Sequence, residues 1–194
     1  AKSVFLYFDP PTPIADCPMR RYLLTMSTVL IDIRPACSRD AVGISKVHDE
    51  AWETAYRGII PAVTLGKMMA RRGPAYWSRL TARRGAGTMV LVFDGEVAGY
   101  ATLGPNRVKR LVYGGEIYEL YLKPTHQGIG LGRRVFREAR KVLNANHLAG
   151  LVVWALEDNA QARQFYTALG GVEVARTIEP FGEAKLTKIA FGWT

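Results

Sequence analysis

Between Glu116 and Val142 a strand, a glycine-rich turn and a helix follow one another without a gap, and that order limits the fold more than any other feature of the chain. Residues 116–122, Glu-Ile-Tyr-Glu-Leu-Tyr-Leu, have the β-branched and aromatic content of a strand. Pro124 ends it, because proline has no N–H to give to a ladder. Gly128, Gly130 and Gly132 open a turn in which backbone can approach a ligand closely. Val135, Phe136, Ala139, Val142 and Leu143 then recur at helical spacing and define one buried face. The helix start presents free N–H groups and a partial positive charge, which together suit a phosphate.

Spacing separates the families that use this device. A mononucleotide loop needs Gly-Lys-Ser/Thr, and none follows Gly132. A dinucleotide fingerprint needs Gly-x-Gly-x-x-Gly, whereas these glycines alternate. What remains is Gln127-x-x-Gly130-x-Gly132, directly preceded by Glu116-Ile117-x-x-Leu120-Tyr121-Leu122-x-Pro124. This resembles the pyrophosphate loop of the GNAT superfamily of acyl-CoA-dependent N-acyltransferases. A second segment, Asn159 to Gly170, resembles that family's Asn-x-x-Ala-x-x-x-Tyr-x-x-x-Gly pattern, with Asn159, Ala162 and Tyr166 near one helix face. A third, Trp52-x-x-x-Tyr56-Arg57-Gly58-x-Ile60-Pro61, resembles the family's first helix–loop more loosely.

A chain of 194 residues is most simply one domain with a substantial core. No apolar run reaches the length of about eighteen residues that a membrane span needs. Cys17 and Cys37 lack metal-ligand spacing, no metal cluster is visible, and the two cysteines either suit a reducing, cytoplasmic setting or carry no information, rather than forming a disulfide framework. The net charge of +9 gathers in two places. One is the helix after the loop, where Arg133 and Arg134 oppose the helix dipole and make most sense facing phosphate. The other is Arg71, Arg72, Arg79, Arg83 and Arg84, most simply a solvated face, with an acidic partner as its alternative.

Taken in order, residues 1–25 are rich in proline and read as an extension or leader, so that the functional domain spans 26–194. A strand is expected over Val29–Arg34, then a helix from an N-cap at Ser38 to about Arg57, with Val42, Ile44, Val47, Ala51, Trp52 and Ala55 as its apolar stripe. Helices are expected near 62–71 and 74–83, with a break at 85–87. Asp94-Gly95 predicts a type I′ hairpin between strands at 89–93 and 96–103, with a bulge near Gly99. Leu151–Leu156 reads as a buried strand parallel to 116–122, because a helix connects them. Asn159 caps a helix over 160–169, and strands at 172–178 and 185–191 pair antiparallel. The fold class is α/β: a mixed sheet of about seven strands with a central parallel pair and helices on both faces, in agreement with the GNAT fold.

The resemblance implies an N-acetyltransferase that moves an acetyl group from acetyl-CoA to a primary amine of a small molecule or peptide, by direct attack in a ternary complex. It implies no metal. Gln127, Gly128, Ile129, Gly130, Leu131, Gly132 and Arg133 would hold the pyrophosphate. Leu120, Tyr121 and Leu122 would pair with pantetheine, and the N–H of Leu120 or Leu122 would polarise the thioester carbonyl. Asn159 would hold the pantetheine arm, with Phe165 beside it, and Tyr166 would protonate the departing thiolate. Trp52 and Tyr56 would wall the acceptor pocket or simply pack in the core. A lysine-like amine costs roughly 4–5 kcal/mol to neutralise at pH 7, so such an acceptor wants a base. Glu116 is the first candidate, since by a period of two it shares a face with Tyr118, Leu120 and Leu122; Glu119, expected on the opposite face, is the second.

Two other functions compete. One is a non-catalytic acyl-CoA-binding or sensing module, against which Glu116, Asn159 and Tyr166 argue. The other is nucleic-acid binding through the second arginine cluster, where only Tyr76 and Trp77 interleave. Homodimerisation through the last strands is common in the family. His126 reads as a surface loop residue, and His48 and His147 have no partner visible in the sequence.

Overall fold

The structure is a computed structural model and describes residues 29–83 and 87–194. The proline-rich extension, the proposed boundary at Met26, Cys17, Arg84 and most of the 85–87 break lie outside the described residues. The elements run β1 (Ile31–Pro35), α1 (Ala41–Tyr56), α2 (Ala62–Ala70), α3 (Pro74–Thr81), β2 (Thr88–Phe93), β3 (Glu96–Pro105), β4 (Gly115–Leu122), α4 (Leu131–Ala145), β5 (Leu151–Leu156), α5 (Ala160–Ala168), β6 (Val172–Phe181) and β7 (Ala184–Trp193). The strands form one sheet in the order β1-β2-β3-β4-β5-β7-β6. The β4–β5 pair is parallel, as the intervening helix requires, and the other described pairs are antiparallel.

Helices cover both faces. The apolar stripe of α4 (Leu131, Val135, Phe136, Ala139, Leu143) packs with Ile117, Leu122, Val153, Phe191 and Trp193. On the opposite face Ile44 and Val47 of α1 and Trp77 of α3 meet Val90 and Tyr100. Trp52, Ile60, Leu65 and Leu156 form a third cluster where α1 and α2 approach β5. Val42, expected in the buried stripe of α1, is instead exposed.

The start of α1 corrects the expected N-cap at Ser38. A short 3-10 turn, Ser38–Asp40, precedes the helix, Asp40 is the N-cap position of α1, and its carboxylate accepts from the Cys37 N–H at 2.8 Å at the start of that turn. The same carboxylate takes two bonds from the Arg34 guanidinium, at 2.7 and 2.8 Å. A carboxylate can serve both donors, whereas a serine hydroxyl cannot hold a bidentate guanidinium. At the other end Gly58 takes φ +81, the left-handed conformation expected of a helix terminator.

Two bulges shape the centre of the sheet. In the β2–β3 hairpin, turned by Asp94 and Gly95 at φ 50 and 84, Leu91 faces Gly99 while Val92 faces Val97, so Ala98 is the extra residue. Between β3 and β4, Thr102 faces Glu119 but Leu103 faces Ile117, so Tyr118 is the extra residue on β4. That bulge overturns the expected face assignment. Ile117, Leu120 and Leu122 all turn towards α4, while Tyr118, Glu119 and Tyr121 turn towards α1 and α2. An uninterrupted period of two would have put Glu119 opposite Tyr118.

Candidate active site

The β4–β5 pair is short. Gly115, Glu116 and Ile117 pair with Leu151, Val152 and Val153, and beyond them the two strands part. The parting begins at the Tyr118 bulge. Lys123 donates its N–H to Ala98 O at 2.8 Å, on the β3 side. By the antiparallel alternation, the N–H groups of Leu120 and Leu122 therefore face the gap that β5 has left. Backbone donors directed into such a gap are what an extended amide-bearing ligand can pair with.

At the end of that gap lies the glycine loop. Gly128 and Gly130 take φ 77 and 85, and Gly130 is the N-cap of α4. The Gln127 side chain ties the loop to both neighbours: Nε2 donates to Leu122 O at 3.1 Å, and Oε1 accepts from Gln161 Nε2 at 2.7 Å. A Cβ on Gly132 would sit 3.2 Å from the Phe165 ring, so glycine is what lets α5 close against the helix start. Ile129 projects outward, 64% exposed, and Leu131 is buried in the core, so the contribution of both to the loop is backbone. Arg133 lines the adjoining cavity, whereas Arg134 turns to a groove shared with Ile33, Arg137 and Lys141, away from where it was expected.

That cavity encloses about 310 Å³ and is lined by Leu120, Tyr121, Leu122, the loop glycines, Asn159, Phe165 and Tyr166, among others. Asn159 Oδ1 accepts from Ala162 N at 3.0 Å, which commits the oxygen to capping α5 and leaves the amide NH₂ for a ligand. Tyr166 sits among Phe136, Phe191 and Trp193. Burial pushes its phenol well above the ordinary 10, and the nearby Tyr56 phenol adds to the effect.

A second cavity, of about 370 Å³, opens on the α1–α2 side of the same strand, and Tyr121 lines both. Its walls include Trp52, Tyr56, Tyr76, Trp154 and Phe181 with Arg72, Arg107, Glu119, Glu179 and Lys188. The Tyr56 and Tyr121 hydroxyls are 2.5 Å apart. Trp52, buried against His48, is both core and wall. The two candidate glutamates differ in their surroundings. Glu116 is 1% exposed, and Arg107 covers it with three donors: its backbone N at 2.9 Å, Nη2 at 2.5 Å and Nε at 3.2 Å. Glu119 lies on the cavity wall, accepting from Arg72 Nη1 and from Thr102 Oγ1 at 3.3 Å. Burial alone would lower the Arg72 pKa, but Glu119 outweighs it and holds the guanidinium charged.

Two of these residues were missed as site residues in the sequence. Arg72 belongs to the second arginine cluster, yet it leaves that face and turns inward, while Arg71, Arg79 and Arg83 remain exposed. Arg107 sits in the connection after β3, in a segment without periodicity. His126, expected as a surface loop residue, packs edge-on against Phe93. Among the described residues no group of three or more potential metal ligands converges.

The sequence profile of the acetyltransferase (GNAT) family matches residues 47–170, a span that includes the parted strand, the glycine loop and α5. The chain belongs to the GNAT family of acetyltransferases. As a GNAT protein it is an acyltransferase. An uncharacterized N-acetyltransferase, YuaI, of Bacillus subtilis is 29% identical over 165 residues, covering 84% of this chain and 93% of its own. Among solved structures, the PaiA N-acetyltransferase of Thermoplasma acidophilum, in complex with coenzyme A, superposes with a TM-score of 0.64 at 16% identity, covering 82% of this chain and 98% of its own. The putative acetyltransferase YncA of Salmonella typhimurium, with acetyl-CoA, gives 0.59 at 20% identity, over 84% and 93%. The GNAT fold, with its seven-stranded mixed sheet and central parallel pair, is thus shared with both.

Proposed function

We propose that this GNAT protein transfers an acetyl group from acetyl-CoA to a primary amine held in the cavity below α1 and α2, by direct attack in a ternary complex. One observation carries the reading: two cavities adjoin β4 where it parts from β5, and they share Tyr121. The coenzyme, which supplies an activated thioester, suits the first cavity. Gln127 to Arg133 offer N–H groups and one guanidinium to its pyrophosphate. Leu120 and Leu122 offer N–H groups to pantetheine and to the thioester oxygen. Coenzyme-bound PaiA and YncA, which share the fold, support this placement. The cytoplasm is the setting this proposal assumes.

Glu119, rather than Glu116, takes the proton from the amine in this reading. It faces the acceptor cavity, where its carboxylate accepts from Arg72 and from Thr102 Oγ1. Glu116 has its oxygens occupied by Arg107. Tyr166, kept protonated by burial, gives its proton to the sulfur as the carbon–sulfur bond breaks. The test is release of CoA thiol from acetyl-CoA across an amine panel, with Tyr166→Phe and Glu119→Gln in parallel. Fast release that both variants slow supports the reading. Acetyl-CoA binding with no release for any small amine or peptide would instead favour a sensing module.

A further inference from the structure

The acceptor cavity is charge-balanced before anything enters it. Arg72 pairs with Glu119, Arg107 with Glu116 and Lys188 with Glu179. Four of the aromatic rings that line it already have a cation over them. The Arg72 guanidinium lies 5.3 Å from the Trp52 ring centre and 5.7 Å from that of Tyr76, Arg107 lies 4.2 Å over Tyr118, and Lys188 lies 5.6 Å over Trp154. A substrate that brought only positive charge would leave the half-buried cavity with an unmatched cation, which is costly away from water. It would also compete with Arg72 for Glu119, and the other carboxylate lining the cavity among the described residues, Glu179, is already paired with Lys188.

From this charge balance and the position of Arg72 we infer that the acceptor carries an acid group beside its amine: a small zwitterion, of which an α-amino acid with an apolar side chain is the simplest. The inference rests on the acetyltransferase reading of the same cavity. Such a molecule adds no net charge. Its ammonium goes to Glu119 and its carboxylate to Arg72, so both members of the resident pair keep a partner. Arg72 has the donors for this. Only its Nη1 is engaged, with Glu119, and among the described residues Nε and Nη2 have no hydrogen-bond partner. Arg107 is worse placed, with Nε and Nη2 both on Glu116 and its side chain 60% exposed. A guanidinium with an unused edge matches a carboxylate in two-point geometry. The aromatic walls supply apolar area for the rest of the molecule.

The experiment measures CoA release by the full chain with matched amines: phenylalanine, phenylalanine amide and phenethylamine; leucine and isoamylamine; and spermidine. The acid-bearing member of each set is expected to exceed its acid-free partners in kcat/KM by about tenfold or more, because a site with a polar group awaiting a partner rejects analogues that lack it. The amide sharpens the comparison, since its amine is the less basic and would react more readily on chemistry alone. Arg72→Gln should collapse the ratio while acetyl-CoA affinity, read by calorimetry, stays put. Equal or faster turnover of phenethylamine, isoamylamine or spermidine overturns the inference. So does a ratio that survives in Arg72→Gln. Should that variant fail to fold, the wild-type ratios decide, with Arg72→Lys reporting whether the forked geometry matters. If no amine is turned over, the inference falls. Retained acetyl-CoA binding in that case leaves the coenzyme site of the wider proposal standing, and loss of binding removes both.

Discussion

At the scale of single residues the proposed chemistry depends on two side chains, Tyr166 and Glu119. Burial keeps the Tyr166 phenol protonated well beyond the ordinary range, so in this proposal it can donate to sulfur at any pH where the fold survives. Tyr166→Phe keeps the ring contacts with Phe136 and Phe191 and removes only the hydroxyl. It should lower kcat roughly 100-fold, the lower end for an acid–base residue, with acetyl-CoA affinity nearly unchanged, as steady-state kinetics and calorimetry can separate. The glutamates should divide equally clearly. Glu119→Gln is expected to cost on the order of 100-fold in kcat. Glu116→Gln should leave kcat within a few-fold but lower thermal stability, since an amide NH₂ would face the donors of Arg107; a loss of about 1–3 kcal/mol is typical of such a mismatch. A large kcat loss in Glu116→Gln, with Glu119→Gln still active, would exchange the two roles.

At the scale of elements, the most consequential device is the join between loop and helices. Gly130 sits at φ 85, and an alanine there bears the left-handed penalty of about 1–2 kcal/mol. Because the strain falls on the backbone proposed to bind pyrophosphate, Gly130→Ala should weaken acetyl-CoA binding about tenfold or more while kcat at saturation changes little. Titration calorimetry checks the first and kinetics the second. Much of this join was legible in the sequence. Pro124 marks the strand end, the alternating glycines mark the turn, and Asn159 marks the start of α5, each through backbone chemistry that acts locally. The bulge at Tyr118 was not read, although a trace of it is present. Ile117 and Leu120 differ in parity, so a regular strand would send them to opposite faces. In a strand buried on both faces, apolar residues of either parity are acceptable, and the clue loses its force. Arg72 was hidden for a related reason. Its neighbours in sequence are solvated arginines, and the glutamate that turns it inward lies 47 residues away.

At the scale of the whole molecule, a buried histidine connects the α1 side of the sheet to stability. His48 is fully buried between α1, α3 and β3, stacked on Trp52 with ring centres 4.6 Å apart and close to Trp77 and Tyr100. Asp49 lies 3.2 Å from its Nδ1, and Glu119 and Arg72 act on it from the cavity side. Desolvation outweighs the two carboxylates and lowers its pKa below the ordinary 6.5. The folded state therefore binds this proton less readily than the unfolded chain does. The resulting stability is fully present above pH 6.5 and is lost as the pH falls from there through the lowered folded value. Between those limits stability should fall by up to about 1.4 kcal/mol per pH unit, or roughly 3–5 °C in Tm for a chain of this size. Asp40, whose pKa lies below the ordinary 3.8 because the Arg34 and Cys37 hydrogen bonds outweigh its desolvation, contributes only at more acid pH and does not confuse the window. His48→Phe keeps a flat ring against Trp52 and has no proton to gain. Its Tm should accordingly be level from pH 7 to 5, where that of the wild-type chain declines. A wild-type Tm already level over that range, or an equal decline in His48→Phe, would place the pH response elsewhere in the fold.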